Sequence, residues 1–308
     1  MFDIDACLTR LRSENVRRAV KIQDRILRYS RDFLSRKGFI EILPVIISPF
    51  TDPLTDHRIR GEIECYGFKY QITKSMIFHK QISLLSLPRI FCFSPNVRIE
   101  PQERQTSGKH LIEFVQLDLE IKEATREDVM RLGEELLVDI LHNIKDSCRS
   151  ELQFFKREIK IPTPPFRKYS YEEAVGLYGL DYETRLSQSF SEPAWLVDFP
   201  VEHREFYDRE YSENPGVLKD MDLIYPEGYG EALSGGEREF EYDKIKKRIE
   251  RKKIDLEFYD IYLQFARKGL PPSAGFGIGI ERLTRFICGL QEIQETRFFA
   301  KLPGVQGL

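Results

Sequence analysis

Residues 273–286 read SAGFGIGIERLTRF, with three glycines at alternate positions followed by a Glu-Arg pair. Glycine alternating with apolar residues describes a strand with one bare face, and the charged residues that follow mark the first turn of a helix. A bare strand face serves either close backbone packing or a ligand lying against it. The common nucleotide fingerprints do not apply: the chain has no GxxxxGK[ST], and these glycines lie near the C-terminus without the acidic residue that follows in a Rossmann unit. What the face is for therefore depends on the elements beside it.

Working outward, residues 62–73 (EIECYGFKYQIT), 89–99 (RIFCFSPNVRI) and 111–121 (LIEFVQLDLEI) carry the alternation and β-branched or aromatic content of antiparallel strands. Residues 38–49 (GFIEILPVIISP) also read as strand, and 194–201 and 218–225 as further strands. Helices are signalled at 13–37, with Ser13 as N-cap and Gly38 as stop, and from Thr125, where Thr125 and Asp128 form a capping pair. The lysine-rich stretch 240–268 reads as helix, and the Pro-rich IPTPPF at 161–166 as a linker. Clustered strands with helices outside them predict an α+β fold, an antiparallel sheet flanked by helices.

The chain is 308 residues long with Lys+Arg 47 against Asp+Glu 50, so no surplus of positive charge points to a polyanion partner. The apolar runs are too short for a membrane span, and MFDIDACLTR lacks the basic then greasy order of a signal peptide, which predicts a cytoplasmic protein. Cys7, Cys65, Cys92, Cys148 and Cys288 are scattered, as reduced structural thiols are. His57, His79, His142 and His203 show no metal-ligand spacing and read as structural, and KIKKRIERKK at 244–253 reads as a solvated helix face.

The face beside the glycines is charged. NVRIE puts Arg98 and Glu100 two apart on one strand, and the next strand brings Phe114 and Asp118 to one face. Burying an arginine, carboxylates and an aromatic together is costly unless something complementary binds there. A nucleotide is complementary: a phosphate for the arginine, an exocyclic amine for a carboxylate, a base for the ring.

VRIE…KHLIEFVQLDLE resembles motif 2 of class II aminoacyl-tRNA synthetases, and GFGIGIERL resembles their motif 3. The details are similar to the aspartyl and asparaginyl branch, and WLVDFPVEHREFY and MDLIYPEGYGEALSGGERE extend the likeness from about residue 15 onward. The resemblance implies ATP binding by Arg98 on the α-phosphate, Glu100 on the adenine amino group, Phe114 under the ring, and His110, Glu231, Gly279 and Arg282 around the nucleotide. Arg98 and Arg282 would be catalytic, stabilising the displacement of pyrophosphate. Glu231, Asp222 and Ser234 would hold magnesium, although the Asp222 to Glu231 spacing is slightly long.

For the amino acid, the resemblance implies Asp118 for the ammonium, Ser75 in the substrate loop, and Lys80 with Arg238 on a side-chain carboxylate. A Lys and an Arg converging on one group favour a carboxylate over an amide, hence aspartate. Two departures stand out: Ile77 occupies the place of a substrate-binding glutamine, and Pro44 comes one residue early for motif 1, which alters the expected dimer register. The reading is one catalytic domain over residues 1–308, without the N-terminal anticodon-binding β-barrel of the tRNA enzymes, similar to archaeal asparagine synthetases related to asparaginyl-tRNA synthetase. The expected partners are aspartate, ATP and ammonia, with a homodimer, and neither tRNA, DNA nor membrane. The alternatives are a paralogue that passes the aminoacyl group to tRNA or another acceptor, and a silent ATP- or amino-acid-binding regulator.

Overall fold

The computed structural model describes residues 3–54 and 61–307, so His57 lies outside the described residues. In chain order the strands are β1 (Ile40–Glu41), β2 (Ile47–Ser48), β3 (Glu62–Cys65), β4 (Phe68–Ile72), β5 (Arg89–Val97), β6 (Glu113–Lys122), β7 (Arg167–Ser170), β8 (Ala194–Val197), β9 (Asp220–Tyr225), β10 (Gly230–Arg238) and β11 (Ser273–Gly279). An eight-stranded sheet runs β1-β5-β6-β11-β10-β9-β8-β7, and a three-stranded sheet runs β2-β4-β3. From β5 through β8 the large sheet is antiparallel, with a parallel pair at each edge.

Alternation along the strands decides what each face does. Leu117 and Leu119 of β6, Phe276 of β11 and Leu233 of β10 point into the main core, where helices Glu14–Arg36 and Arg126–Ser147 cover them. Both helices start as their sequence predicts: Ser13 accepts from the Val16 N–H, and Thr125 and Asp128 cap each other's backbone. The opposite face of the same strands carries Gln116, Asp118, Glu120, Gly275, Gly277 and Arg238. An aromatic cluster of Phe78, Phe206, Tyr259 and Tyr262 packs beside that face, under helices Ile77–Ser83, Tyr242–Arg251 and Asp260–Gly269.

Several segments differ from expectation for local reasons. Residues 62–73 form a hairpin, because Tyr66 and Gly67 both adopt positive φ (55° and 80°) and turn the chain. The stretch 38–49 makes only the short pairings of β1 and β2, leaving Leu43 and Ile46 exposed. Helix 240–268 is broken after Arg251, where Lys253 takes φ 54°. Strand β5 ends at Val97, so Arg98 and Glu100 lie past its end; Arg98 still donates its N–H to the Ile112 carbonyl at 2.8 Å. Among the described residues no helix is long and apolar enough to cross a membrane.

Candidate active site

Two adjoining cavities open on the charged face. The larger, about 260 Å³, is lined by Ser75, Ile77, Lys80, Asp118, Ser234 and Arg238 from the predicted set, and by Asp52, Arg204, Glu205, Tyr207 and Asp208, which sequence reading did not select. The smaller, about 50 Å³, is lined by Glu100, His110, Phe114, Gly279 and Arg282, together with Lys109 and Glu281. Arg98, Gln116 and Glu231 line both. All the residues expected to bind ATP or an amino acid therefore surround one continuous site, while Asp222 stands just behind it.

The floor of the larger cavity is a buried line of alternating charge. Lys80 Nζ lies 3.0 Å from Asp118 Oδ1 and 3.6 Å from Glu120 Oε2, Arg238 Nε lies 3.1 Å from Glu120 Oε1, and Arg238 Nη1 lies 2.9 Å from Asp208 Oδ1. Lys80 also donates to the Leu119 and Phe276 carbonyls at 3.3 and 3.4 Å, and Arg238 Nη2 to the Gly275 carbonyl at 2.8 Å. The expected convergence of Lys80 and Arg238 thus occurs on Glu120, a carboxylate of the protein itself. Every nitrogen of the two cations already has a protein acceptor, because buried charge without partners is too costly to keep.

The glycines of the opening stretch find their reason here. A Cβ on Gly275 would lie 2.1 Å from Glu120 Oε2 and 2.2 Å from the Leu119 carbonyl, so this position is bare to admit the protein's own ion pairs. Gly277 lines the larger cavity and Gly279 the smaller. At the helix start, the Glu281 carboxylate accepts from the Val115 N–H at 3.1 Å, tying helix Ile280–Cys288 to β6. Burial pushes the Glu281 carboxyl up to about 7, against the opposing charge of Arg297.

The smaller cavity is built from more exposed pairs. The Arg98 guanidinium sits 5.0 Å from the centre of the Phe114 ring and donates to the Lys74 carbonyl at 3.2 Å. Arg282 Nη1 pairs with Glu231 at 3.0 Å, and both side chains are about a third exposed, at 29% and 37%. Arg104 donates to Glu100 at 2.7 Å, and Ser107 meets His110 Nδ1 at 2.6 Å.

A β-bulge sets the carboxylate cluster. Glu231 pairs with Ile224 but Leu233 with Leu223, so Ala232 is an extra residue in β10. In an unbulged strand Glu231 and Ser234, three apart, would face opposite sides; the bulge turns both to the site, and Ser234 stands directly across from Asp222. Arg204 Nη2 pairs with Asp222 at 2.6 Å, and Asp222 Oδ1 is buried with no hydrogen-bond partner. Burial, with Glu231 nearby, pushes the Asp222 carboxyl up to about 6.

Comparison with known proteins decides the family. The family model described as tRNA synthetases class II (D, K and N) matches residues 2–303. The chain belongs to that family. Asparagine–tRNA ligase of Pelotomaculum thermopropionicum is 31% identical over 299 residues, covering 92% of this chain and 68% of that one. The ligase of Thermococcus gammatolerans is 28% identical over 323 residues, covering 98% of this chain and 73% of its own. Among solved structures, asparaginyl-tRNA synthetase from Pyrococcus horikoshii complexed with asparaginyl-adenylate aligns with TM-score 0.88 and 25% identity, over 96% of this chain and 71% of that one.

Within this class II synthetase core the donor set fits a hard divalent cation. Asp222, Glu231 and the Ser234 hydroxyl are oxygen donors on one face, and the orphaned Asp222 Oδ1 is the buried atom a cation would satisfy. Among the described residues no group of three or more His, Cys, Asp or Glu side chains makes a closed metal cage, so phosphate and water oxygens would complete the shell. Gln116 and Glu120 were readable as the remaining even-numbered positions of β6, beside Phe114 and Asp118. Asp208 carried no such signal, since it reaches Arg238 from a loop through a single antiparallel bridge.

Proposed function

We propose that the protein forms an adenylate of aspartate at the expense of ATP and releases asparagine by aminolysis with ammonia. The β-carboxylate attacks the α-phosphate in line, pyrophosphate leaves, ammonia then attacks the acyl carbon, and AMP departs with one carboxylate oxygen. Arg98, at the junction of the two cavities, would hold the α-phosphate, and Arg282 the departing end of the triphosphate. Magnesium carried by ATP and held by Glu231, Asp222 and Ser234 would neutralise charge on the phosphates. Ser75, Lys80, Asp118 and Arg238 would seat aspartate, with Glu100, His110, Phe114 and Gly279 around adenosine and phosphates.

The observation that carries this reading is Ile77, buried at 3% exposure and lining the amino-acid cavity where the resemblance implies a glutamine for the substrate's backbone end. An apolar wall there suits an aspartate turned end for end, so that its α-carboxylate lies toward Arg238 and its β-carboxylate toward Arg98. The asparagine–tRNA ligase relatives favour a second reading, in which the acyl group goes to a tRNA hydroxyl. Incubation with ATP, aspartate, magnesium and ammonium separates the two: the first gives free asparagine, AMP and pyrophosphate after nuclease treatment, the second needs RNA and gives no free asparagine.

We also propose a homodimer, with residues 1–308 as one catalytic unit. Leu43 and Ile46, three apart in the chain, are 91% and 59% exposed, and neighbouring exposed apolar side chains mark a partner surface.

A further inference from the structure

We propose that Asp208 receives the α-ammonium of aspartate and so fixes which carboxylate is activated. The assignment rests on the end-for-end orientation proposed above. In an α-amino acid the ammonium and the α-carboxylate share one carbon. A carboxylate placed against the Nη edge of Arg238 therefore brings its ammonium within reach of any acceptor on that same edge. Asp208 is that acceptor: its Oδ1 lies 2.9 Å from Arg238 Nη1, it lines the cavity, and it is 6% exposed.

The position is held from the backbone. Asp208 pairs with Arg238 as an isolated antiparallel bridge, and its carbonyl accepts from Arg248 Nη1. A carboxylate anchored this way keeps its direction when the ligand arrives. Hydrogen-bond accounting supports the choice of an ammonium. Each nitrogen of Lys80 and of Arg238 already donates to the protein, so this end of the cavity is not an empty cation clamp awaiting a single carboxylate. A group bringing positive charge beside its negative charge leaves the balance intact.

The opposite orientation makes a contrary demand. With the α end at Arg98, Asp118, whose Oδ2 has no hydrogen-bond partner, is the acceptor left for the ammonium, and Asp208 faces a second carboxylate across Arg238. The end-for-end pose removes that repulsion by setting the ammonium against Asp208.

The test compares ligands with and without the ammonium. In Asp208→Asn, which keeps an oxygen for Arg238, the KM for aspartate is expected to rise about 10- to 100-fold. Inhibition by succinate, which lacks the ammonium, should change less than about threefold, and Asp208→Glu should recover part of the loss. Equal losses for aspartate and succinate, or no loss, would overturn the assignment. Should Asp208→Asn not fold, Asp208→Glu is read alone: a selective effect on aspartate supports the assignment, and a parallel effect on both ligands refutes it. Trapping the adenylate of the unmodified enzyme with hydroxylamine separates this from the reading it rests on. An α-hydroxamate sinks the orientation itself, whereas a β-hydroxamate with unselective Asp208 variants sinks only the role of Asp208.

Discussion

The two cavities differ in how their cations are held. Around the larger one, Lys80 and Arg238 are buried at 2% and 4% exposure and every nitrogen has a protein acceptor. Around the smaller one, Arg98 lies over a ring and Arg282 holds a single carboxylate that is about a third exposed. On the proposed function the first set is fixed before a ligand arrives and would select it by shape and charge balance. The second consists of more exposed pairs that, on the same proposal, would give way to phosphate and metal. One fold thus keeps rigid recognition beside movable chemistry, and substitutions should separate the two.

The largest effect on stability is predicted at Glu120. Glu120→Ala removes the carboxylate that two buried cations share, leaving Lys80 with Asp118 and Arg238 with Asp208, and should cost about 3–5 kcal/mol, read by denaturant unfolding. Arg282→Ala should do the reverse, lowering turnover about 10²- to 10³-fold while stability moves by less than about 1 kcal/mol. Equal stability losses in these two variants would erase the distinction. Gly275→Ala should cost about 1–3 kcal/mol, because the new methyl meets a backbone carbonyl at 2.2 Å and a carboxylate held by ion pairs. Gly277→Ala, whose methyl meets only side-chain ends at 3.1 Å, should be milder and act on aspartate binding.

The smallest prediction concerns pH. The Glu281 carboxyl is pushed up to about 7 by burial, so the folded state holds a proton that the unfolded state releases nearer 4.5. Its contribution to stability is therefore complete below about 4.5 and is lost as pH rises through about 7. Thermal unfolding across that window should show Glu281→Gln losing less stability with rising pH than the unmodified protein. An unchanged slope would place the titration elsewhere, Asp52 and Asp220 being raised to about 7 in the same way.

What sequence could show follows from what is periodic or capped. Thr125 with Asp128 and Ser13 announce helix starts through their own hydrogen bonds, and β6 shows its face by alternation. The resemblance of motifs supplied Arg98, Phe114, Glu231 and Arg282, which line the smaller cavity together. Sequence could not show that Lys80 and Arg238 meet on Glu120, because ion pairing is settled by packing across three strands. The extra residue at Ala232, which turns Glu231 and Ser234 to one face, was equally invisible, since a bulge depends on the partner strand. Asp208, Glu205 and Asp52 come from segments without period, and only the fold brings them to the cavity.

The most direct measurement follows oxygen from aspartate into AMP. Aspartate labelled with heavy oxygen in its β-carboxylate is incubated with ATP, magnesium, ammonium and the protein, and the AMP is weighed by mass spectrometry. Activation of the β-carboxylate puts one labelled oxygen on each AMP, while aspartate labelled only in its α-carboxylate gives none. Label reaching AMP from the α-carboxylate instead would show that the substrate lies the other way round, and that the conversion to asparagine proposed here does not occur.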